Sequence, residues 1–379
     1  MKLTDICEFH GGSQPPKSEW SSEYKDGYIR MLQIRDFTQE GRVTPEYVKI
    51  SNRLRLCTED DILIGRYGAS VGKILSGKSG AYNVAIMKAV PDKSVVRKQY
   101  LRYYFLSPNF QNYILNLGGR AAQAGFSKDD LARLEITVVS LEEQDKIVNE
   151  LSTLEKTIST KQKQLKEFDD LVKSRFIEMF VEKGFKEITF SDYAEIIDGD
   201  RGKNYPKAEE FSDEGYCLFL SAKNVTKDGF LFEQMQFISE EKDNLLRKGK
   251  LCRGDIVITT RGTIGNIAFY DDDIPYDNVR INSGMVIIRQ KEVSFNQIFF
   301  LNAFKNKIDE IKETNVTGAA QPQLPIHIMS KIKLLNPPIE LQNEFADFVK
   351  LIDKSKFIVQ KQIDDLQELL DSKMDEYFG

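Results

Sequence analysis

The residues from Gly72 to Ser79, GKILSGKS, match the phosphate-loop pattern G-x-x-x-x-G-K-S letter for letter. That chemistry needs a strand before the loop and a helix after it, so that backbone amides and the helix N-terminus face the phosphates. The residues that follow, GAYNVAIMKAV, are instead typical of a turn and a strand. A solvated turn is therefore favoured, and a nucleotide-hydrolysing enzyme that uses residues 72–79 stays open as an alternative.

Other catalytic patterns are incomplete. The tetrapeptide NPPI, residues 336–339, is similar to the N-P-P-aromatic loop of amino-methyltransferases, but Ile339 has no ring to stack on an extruded base. His10 and His327 are the only histidines, which disfavours a histidine-dependent nucleophile or a zinc site. The four cysteines show neither a metal spacing nor a disulfide framework, which favours a reducing, cytoplasmic setting. We therefore expect no catalytic residue, metal or cofactor in this chain.

Polar and cationic side chains lie in glycine-rich turns, with aromatic residues between them. Glycine lets the backbone approach a phosphate, and Arg, Asn and Gln can read base edges with two hydrogen bonds. The sequence therefore predicts a surface for double-stranded DNA. The candidate DNA-binding residues are Ser13, Gln14, Lys17, Gln33, Arg35, Arg66, Tyr67, Ser70, Lys73, Arg120 and Gln123 in the first half, and Arg201, Lys203, Asn204, Lys223, Asn224, Arg261, Thr263, Asn266, Gln321 and Gln323 in the second.

The net charge of −5 argues only weakly against DNA binding, because the charge is unevenly distributed. Residues 1–140 have more basic than acidic side chains, whereas residues 336–379 have more acidic ones. A local basic surface can therefore exist on an acidic chain. The apolar runs are too short for a membrane span, and no secretory leader is visible.

The elements that must position these turns occur twice. Residues 121–180 align with residues 319–378 at a constant offset of 198. The repeated residues include Gln123, Glu142, Gln144 and Lys156, which recur as Gln321, Glu340, Gln342 and Lys354. The preceding parts match more loosely, as in GYIRMLQIRDFTQEGRV and GYCLFLSAKNVTKDGFL. A period this long indicates duplication of a whole domain with its helix, because a solenoid repeats every roughly 20–50 residues.

Each copy begins with short strands and turns, continues with an amphipathic helix and a strand, and ends with a long helix. In the long helices, apolar residues alternate at steps of four and three, which is a heptad seam. A helix of about 57 Å at 1.5 Å per residue outruns a small core and needs a helical partner. The predicted helix-pairing residues are Ile147, Leu151, Leu154, Ile158, Leu165, Phe168 and Val172 in the first helix and Phe345, Val349, Ile352, Val359, Ile363, Leu366 and Leu370 in the second.

These patterns predict an α+β fold with two similar mixed α/β domains, residues 1–140 and 184–338. Two long helices, residues 141–183 and 339–379, join them and pair as an antiparallel coiled coil with pseudo-twofold symmetry. The alternative that each helix docks on a different protein stays open, as does a helical adaptor with no DNA role.

The chain resembles the specificity subunits of type I restriction–modification systems. The run VTGAAQPQLPIHIMSKIKLLNPPIELQ and its copy in the first half are similar to that family's "GxAQxxL…P-P-L-E-E-Q" signature. DILIGRYGASVGK and DIVITTRGTIGNI are similar to its "D-I-L-ϕ-x-x-x-G-S-ϕ-G" segment. The first copy departs from the signature with Val139-Ser140 in place of Pro-Pro, and the second has Leu341 where Glu is usual.

The resemblance implies a non-catalytic subunit in which each domain is a target recognition domain that reads one part of an interrupted DNA site. The helices would set the spacing and dock two methyltransferase subunits, which use S-adenosylmethionine to methylate adenine. Two restriction subunits, which cleave DNA using ATP with Mg, are a further implied partner of some assemblies. Domains that read different sequences should diverge more than helices that keep one geometry, in agreement with the uneven repeat.

Overall fold

The computed structural model describes residues 1–39, 41–118, 125–227, 229–261, 264–291, 295–315 and 326–379, with only the backbone for 312–315. The chain forms two compact units. Unit 1 comprises Met1–Lys163 and Gln360–Gly379, and unit 2 comprises Gln164–Val359. Each unit therefore contains one globular domain and a part of both long helices.

Unit 1 contains two sheets. One has the strand order β1-β9-β6-β7 and is antiparallel, and the other has the order β2-β4-β3-β8-β5 with β3 and β8 parallel. The strands are β1 (Cys7–Gly11), β2 (Trp20–Ser21), β3 (Tyr28–Leu32), β4 (Tyr47–Lys49), β5 (Leu56–Cys57), β6 (Ile62–Gly65), β7 (Ile74–Leu75), β8 (Gly80–Tyr82) and β9 (Ile86–Pro91).

The helices of unit 1 pack an aromatic core against the first sheet. They are α1 (Leu3–Ile6), α3 (Lys98–Leu106), α4 (Pro108–Gly118) and α5 (Lys128–Leu131), whereas α2 (Ile34–Thr38) packs in a separate cluster with Leu63 and Tyr82. Phe9 of β1 packs against Phe105 of α3, whose ring also contacts Phe110 of α4. The sequence predicts a helical stretch over residues 95–117 that is interrupted near Pro108, and the structure has two helices that separate at Ser107. Proline at position 108 lacks the amide that would continue the first helix.

Unit 2 repeats this plan. Its main sheets have the strand orders β11-β19-β16-β17 and β15-β12-β18, with β12 and β18 parallel. The strands are β10 (Glu187–Thr189), β11 (Ala194–Asp198), β12 (Cys217–Leu220), β13 (Val225–Thr226), β14 (Gly229–Phe230), β15 (Phe237–Ile238), β16 (Asp255–Thr259), β17 (Ile267–Tyr270), β18 (Val279–Ile281), β19 (Met285–Gln290) and β20 (Lys333–Leu335). The helices before and after the sheets are α7 (Phe190–Tyr193), α8 (Glu240–Leu245), α9 (Gln297–Asn315) and α10 (Ile326–Met329).

One predicted strand is wrong. The strand predicted before the first long helix is EITVVS, residues 135–140, but in the structure these residues form no strand and Glu135 makes an isolated bridge with Lys2. The amide of Ile136 donates to the carbonyl of Met1, and the chain then turns into a helix at Leu141. Because α1 begins at Leu3, directly after Lys2, the pairing does not continue along the chain in that direction.

The long helices have 36 and 40 residues. The first is α6 (Leu141–Phe176), which continues as one wider π-helical turn from Ile177 to Val181. The second is α11 (Ile339–Phe378). In the described part of the chain, no helix is both long enough and apolar enough to cross a membrane.

Within unit 1 the two long helices run antiparallel. The Tyr377 hydroxyl donates to Glu150 at 2.6 Å, and Lys161 donates to Gln362 at 2.6 Å. Residue numbers therefore increase along α6 in the direction in which they decrease along α11. The ring of Phe378 reaches the domain core and lies 5.0 Å from that of Tyr100.

The same direction holds inside unit 2. Asp169 accepts a hydrogen bond from Lys356 at 2.6 Å, and Arg175 pairs with Glu344 at 3.1 Å. The ring of Phe345 contacts that of Phe176 at 5.5 Å between centroids. The predicted fold class is confirmed, with mixed helix–sheet domains and long helices that pair in an antiparallel sense.

The structure leaves none of the fourteen predicted helix-pairing residues exposed. Buried positions are Ile147, Leu151, Ile158, Phe345, Val349, Ile352, Val359 and Ile363, and half-buried ones are Leu154, Leu165, Phe168, Val172, Leu366 and Leu370. Phe176, Met179, Phe180 and Phe378 are also buried and extend the apolar packing at the helix ends.

Candidate nucleic-acid interface

The described candidate residues of unit 1 lie after the carboxyl ends of β1, β3 and β6, and these segments are joined to the loop after β8. Main-chain hydrogen bonds join these loops. The amide of Ser13 donates to the carbonyl of Tyr82 at 3.0 Å, and that of Asn83 donates to the carbonyl of Leu32 at 3.1 Å. The four strand ends therefore form one loop frame, on which exposed side chains are held at fixed positions.

Gly12 allows the closest approach in this frame. A Cβ atom there would lie 2.0 Å from the carbonyl oxygen of Asn83, so no other residue type fits without a backbone shift. Beyond the glycine, the Ser13 hydroxyl accepts a hydrogen bond from the amide of Arg55 at 3.2 Å. The loop after β1 thus also fixes the segment that leads into β5.

Arg66 and Tyr67 form a cation–aromatic pair after β6. The guanidinium carbon of Arg66 lies 5.0 Å from the centroid of the Tyr67 ring, and its nitrogens donate to the carbonyls of Phe126 and Val84. The Tyr67 side chain is 41% exposed. An exposed ring beside an arginine can stack on a base or sugar while the cation faces a phosphate.

Unit 2 has the same loop frame after β11, β12, β16 and β18. The amide of Asn282 donates to the carbonyl of Leu220 at 3.0 Å, as Asn83 does to Leu32. A Cβ atom on Gly199 would lie 2.2 Å from the carbonyl oxygen of Asn282, as Gly12 meets Asn83. The two globular domains therefore present equivalent loops whose side chains differ.

Asp200 stands where Ser13 stands in unit 1. Its two carboxylate oxygens accept hydrogen bonds from the amides of Gly202 and Arg247, each at 2.8 Å. These amides, that of Gly202 first, hold the pKa of the Asp200 carboxyl below its ordinary value, although burial acts in the opposite direction. The carboxylate is therefore used inside the loop frame and does not face a ligand.

Most of the predicted DNA-binding residues in the described chain are accessible. Exposed ones are Gln14, Lys17, Arg35, Tyr67, Lys73, Arg201, Lys203, Lys223 and Arg261, and half-buried ones are Ser13, Gln33, Arg66, Ser70, Asn204 and Asn266. Arg120, Gln123, Thr263, Gln321 and Gln323 lie outside the described residues.

Several of these side chains are engaged within the domain. Asn224 is buried, accepts the amide of Ser221, and donates to the carbonyls of Leu231 and Gln234. Its side chain therefore supports the loop after β12 and, contrary to the prediction, is not accessible to DNA. The carboxylate of Glu46 holds Gln33 and Arg35 in a similar way in unit 1.

Asp61 and Asp255, which begin the segments DILIGRYGASVGK and DIVITTRGTIGNI, also have structural roles. Asp61 accepts the amide of Thr58 at 2.8 Å, and Asp255 accepts the amide of Cys252 at 2.7 Å, so each closes the turn that leads into β6 or β16. Asp255 is 1% exposed and forms a two-point ion pair with Arg289. These bonds explain why the aspartate recurs although it does not face the loop frame.

The phosphate-loop match has the wrong surroundings. Residues 74–75 form β7, and Ser79 is followed by β8 and not by a helix. Gly72 and Gly77 have φ angles of 78° and 84°, which identifies them as turn glycines. Because a strand and not a helix follows residues 72–79, the phosphate-binding arrangement is not formed at this segment, and the nucleotide-hydrolysis alternative is not supported. In the described chain, no group of three or more His, Cys, Asp or Glu could hold a metal ion.

Comparison with known proteins decides the family. A family model of the type I restriction modification DNA specificity domain matches residues 1–168 and again residues 182–368. The chain belongs to this family. The predicted resemblance is confirmed, and the chain is a specificity subunit of a type I restriction–modification system with two specificity domains.

Relatives and solved structures agree with this assignment. Two specificity subunits of Methanocaldococcus jannaschii type I restriction enzymes, MjaVIII and MjaIX, are each 24% identical to the chain; the first match covers 97% of this chain and 89% of the relative, and the second 98% and 90%. The crystal structure of the type I S subunit from M. genitalium has a TM-score of 0.51 at 18% identity, covering 100% of this chain and 95% of that one. A chain from a structural study of complex assembly and conformational transition of the type I R-M system has a TM-score of 0.60 at 15% identity, covering 100% and 96%. These structures show the same fold.

Two arginines of the specificity subunit were missed from sequence. Arg55 and Arg247 are exposed and are bound through their amides to the loop frames. The repeated dipeptide Leu-Arg at 54–55 and 246–247 could have indicated them. It was obscured because unit 2 has two additional residues, Lys248 and Gly249, before the chain rejoins the sheet.

Proposed function

We propose that each recognition domain of this specificity subunit reads one part of an interrupted, asymmetric DNA site. The observation that carries the proposal is the duplicated loop frame with different side chains on it. The residue before Tyr67 donates its amide to the loop after β8, and the residue before Arg261 donates its amide to the loop after β18. Tyr67 and Arg261 therefore occupy equivalent positions and differ in chemistry. Two frames of one geometry and unlike side chains suit two half-sites of different sequence.

We place the recognition domains at residues 1–140 and 184–338 and the spacer helices at residues 141–183 and 339–379. The helices would fix the separation of the two half-sites and dock two methyltransferase subunits. Exposed apolar side chains on α11 support a protein partner, since Leu351 and Phe357 are 63% and 72% exposed. Those partners would bring S-adenosylmethionine and methylate adenine.

The specificity subunit itself would perform no chemistry. Its part would be to bind DNA in the cytoplasm and to present the target to the methyltransferase subunits. Restriction subunits that use ATP with Mg to cleave DNA would join some assemblies through the same subunit. The acidic total charge fits this division, because the partners can supply much of the cationic surface that drives phosphate affinity.

Sequencing the methylated bases of the host genome with and without this gene tests the proposal. We expect one interrupted motif with adenine methylation to disappear when the gene is deleted and to return when it is restored. An unchanged methylation pattern, together with no salt-dependent gel shift of the assembled complex, would leave only the adaptor function.

A further inference from the structure

Arg55 and Arg247 are bound through their amides to the same loop of the two frames. Each directly follows a leucine that packs against the mixed sheet, Leu54 in unit 1 and Leu246 in unit 2. Each leucine amide closes a turn by donating to the carbonyl three residues earlier, at 3.1 Å and 3.2 Å. The two arginines thus emerge from equivalent turns in domains whose sequences have otherwise diverged.

The backbone of each arginine is fixed by the residue that follows the close-approach glycine. Arg55 donates its amide to the Ser13 hydroxyl at 3.2 Å, and Arg247 donates its amide to the Asp200 carboxylate at 2.8 Å. Different acceptors therefore hold the same amide in place. This retention of geometry indicates that the position of the arginine matters, and not the identity of the residue that holds it.

The side chains of both arginines are exposed. Among the described residues, neither guanidinium has a hydrogen-bond or ion-pair partner. An arginine whose backbone is fixed and whose guanidinium is exposed is suited to bind an external anion. Packing does not explain them, because their exposed ends contribute little to the core.

The duplication separates two kinds of DNA contact, if the proposed function holds. Two different half-sites share their phosphates and differ in their bases. Loop positions that read bases should therefore differ between the units, as Tyr67 and Arg261 do. Positions that contact phosphates should retain their chemistry. We propose that Arg55 and Arg247 are the paired phosphate contacts that orient the two recognition domains on DNA, independently of sequence.

The local charges predict unequal contributions. In unit 2, Arg247 and Lys248 line a cavity of about 380 Å³ together with Asp198, Asp200 and Arg201. Asp198 pairs with Arg201 at 3.1 Å, but the carboxylate of Asp200 still lies beside Arg247. In unit 1 a neutral hydroxyl takes the place of that carboxylate. A phosphate should therefore gain more from Arg55 than from Arg247.

The test measures DNA affinity of the assembled complex, with its methyltransferase subunits, against salt concentration. One probe is a duplex with the target sequence that the methylation pattern identifies, and the others are the same duplex with either half-site scrambled. We expect Arg55→Ala to weaken binding about tenfold on all duplexes and to lower the slope of log K against log salt by about 0.9. Arg247→Ala should act in the same way with a smaller effect. Arg55→Lys should retain most of the affinity, because a phosphate accepts a point charge whereas a base edge needs the guanidinium fork.

Lys93→Ala is the matched control, since it removes an exposed cation at the opposite end of the β1–β9 pair. If the arginine variants behave like this control while the wild-type complex binds DNA, the phosphate assignment is overturned and the proposed function stands. A loss of affinity confined to the intact target, without rescue by lysine, would instead identify a base contact and overturn it too. A wild-type complex with no salt-dependent DNA binding would remove the proposed function itself, and this inference with it.

Discussion

Gln144 and Gln342, which are 198 residues apart, make the same hydrogen bonds in the two units. Each lies in the first turn of a long helix and is almost completely buried, at 0% and 2% exposure. Gln144 accepts the amide of Arg97 at 2.7 Å, and Gln342 accepts that of Asn296 at 2.9 Å. Each side-chain amide also donates to the carbonyl five residues before its own position, at 2.9 Å in both units. One glutamine therefore joins each long helix to the start of the helix that follows the sheet.

Gln144→Met should destabilise this junction in unit 1. The substitution conserves volume but leaves the partly buried amide of Arg97 and the carbonyls of Val95 and Val139 without their partner. We expect a loss of about 3 kcal/mol in local stability, from two or three unsatisfied groups. Hydrogen exchange of peptides from residues 95–106 and 139–150 measures it.

Glu142→Gln is the control for this experiment, because Glu142 is exposed and makes only a surface ion pair with Lys146. It should change the exchange rates little. Equal protection in Gln144→Met and Glu142→Gln would show that the glutamine bonds do not hold the junction.

Phe345→Ala should strongly destabilise unit 2. The ring is fully buried and contacts Phe176 and Phe180, each at 5.5 Å between centroids. Removing a buried Phe costs about 3–5 kcal/mol, through lost contacts and the cavity that remains. Phe357→Ala on the same helix is the matched control and should have little effect on the isolated chain, because Phe357 is 72% exposed. Urea unfolding of both variants measures the difference, and comparable losses would contradict the observed packing.

Asp200 should make stability depend on pH in the acid range. Its pKa is lowered in the folded chain by the amide of Gly202 and then by that of Arg247, so its contribution is complete above the unfolded value. That contribution is lost as the pH falls below about 4, the ordinary range of an aspartate, through the folded pKa. We expect wild type to exceed Asp200→Asn in thermal stability at pH 6, and the difference to shrink between pH 5 and pH 3 by the order of 1 kcal/mol. A difference that stays constant over this range would contradict the role of the carboxylate charge.

Lys78→Ala tests the excluded phosphate-loop function. Because Ser79 leads directly into β8, the variant should leave methylation by the assembled complex nearly unchanged. A methylation assay with tritiated S-adenosylmethionine measures it, with Lys93→Ala as the control for a lost cation. Abolished activity in Lys78→Ala alone would restore the nucleotide-dependent alternative.

Exchange of residues 1–140 for the corresponding domain of another specificity subunit tests modular reading. We expect the methylated motif to change in one half-site while the other half-site and the spacing persist. Methylation-sensitive sequencing of a host that carries the hybrid gene reports both halves at once. A simultaneous change in both halves would show that the two domains do not read independently.

The long helices could be predicted because their signals are local and repeated. The heptad steps through Ile147 and Leu151 require only one sequence and a helical period. The pairing direction also followed, since two copies in one chain favour a twofold arrangement. The glutamine bonds could not be predicted, because they join Gln144 to Arg97 across 47 residues of chain.

The predicted DNA-binding residues stay predictions, but the structure separates those that support loops from those that are exposed. Asn224 has the composition of a base reader, yet its side chain is used to support a loop from within. Arg55 looks ordinary in the sequence, because the bond that fixes its amide comes from Ser13, 42 residues earlier. Sequence composition identifies side chains that can bind DNA, but burial and tertiary hydrogen bonds decide which of them are free to do so.

The loop frames are joined largely by main-chain bonds, such as those from Ser13 to Tyr82 and from Asn282 to Leu220. Such bonds survive most substitutions at the tips of the loops, so new preferences can arise without refolding. Gene conversion that copied the loop tips of one domain into the other would create two domains with identical loop tips. Because both loop frames have the same main-chain bonds, such an exchange would leave both domains folded.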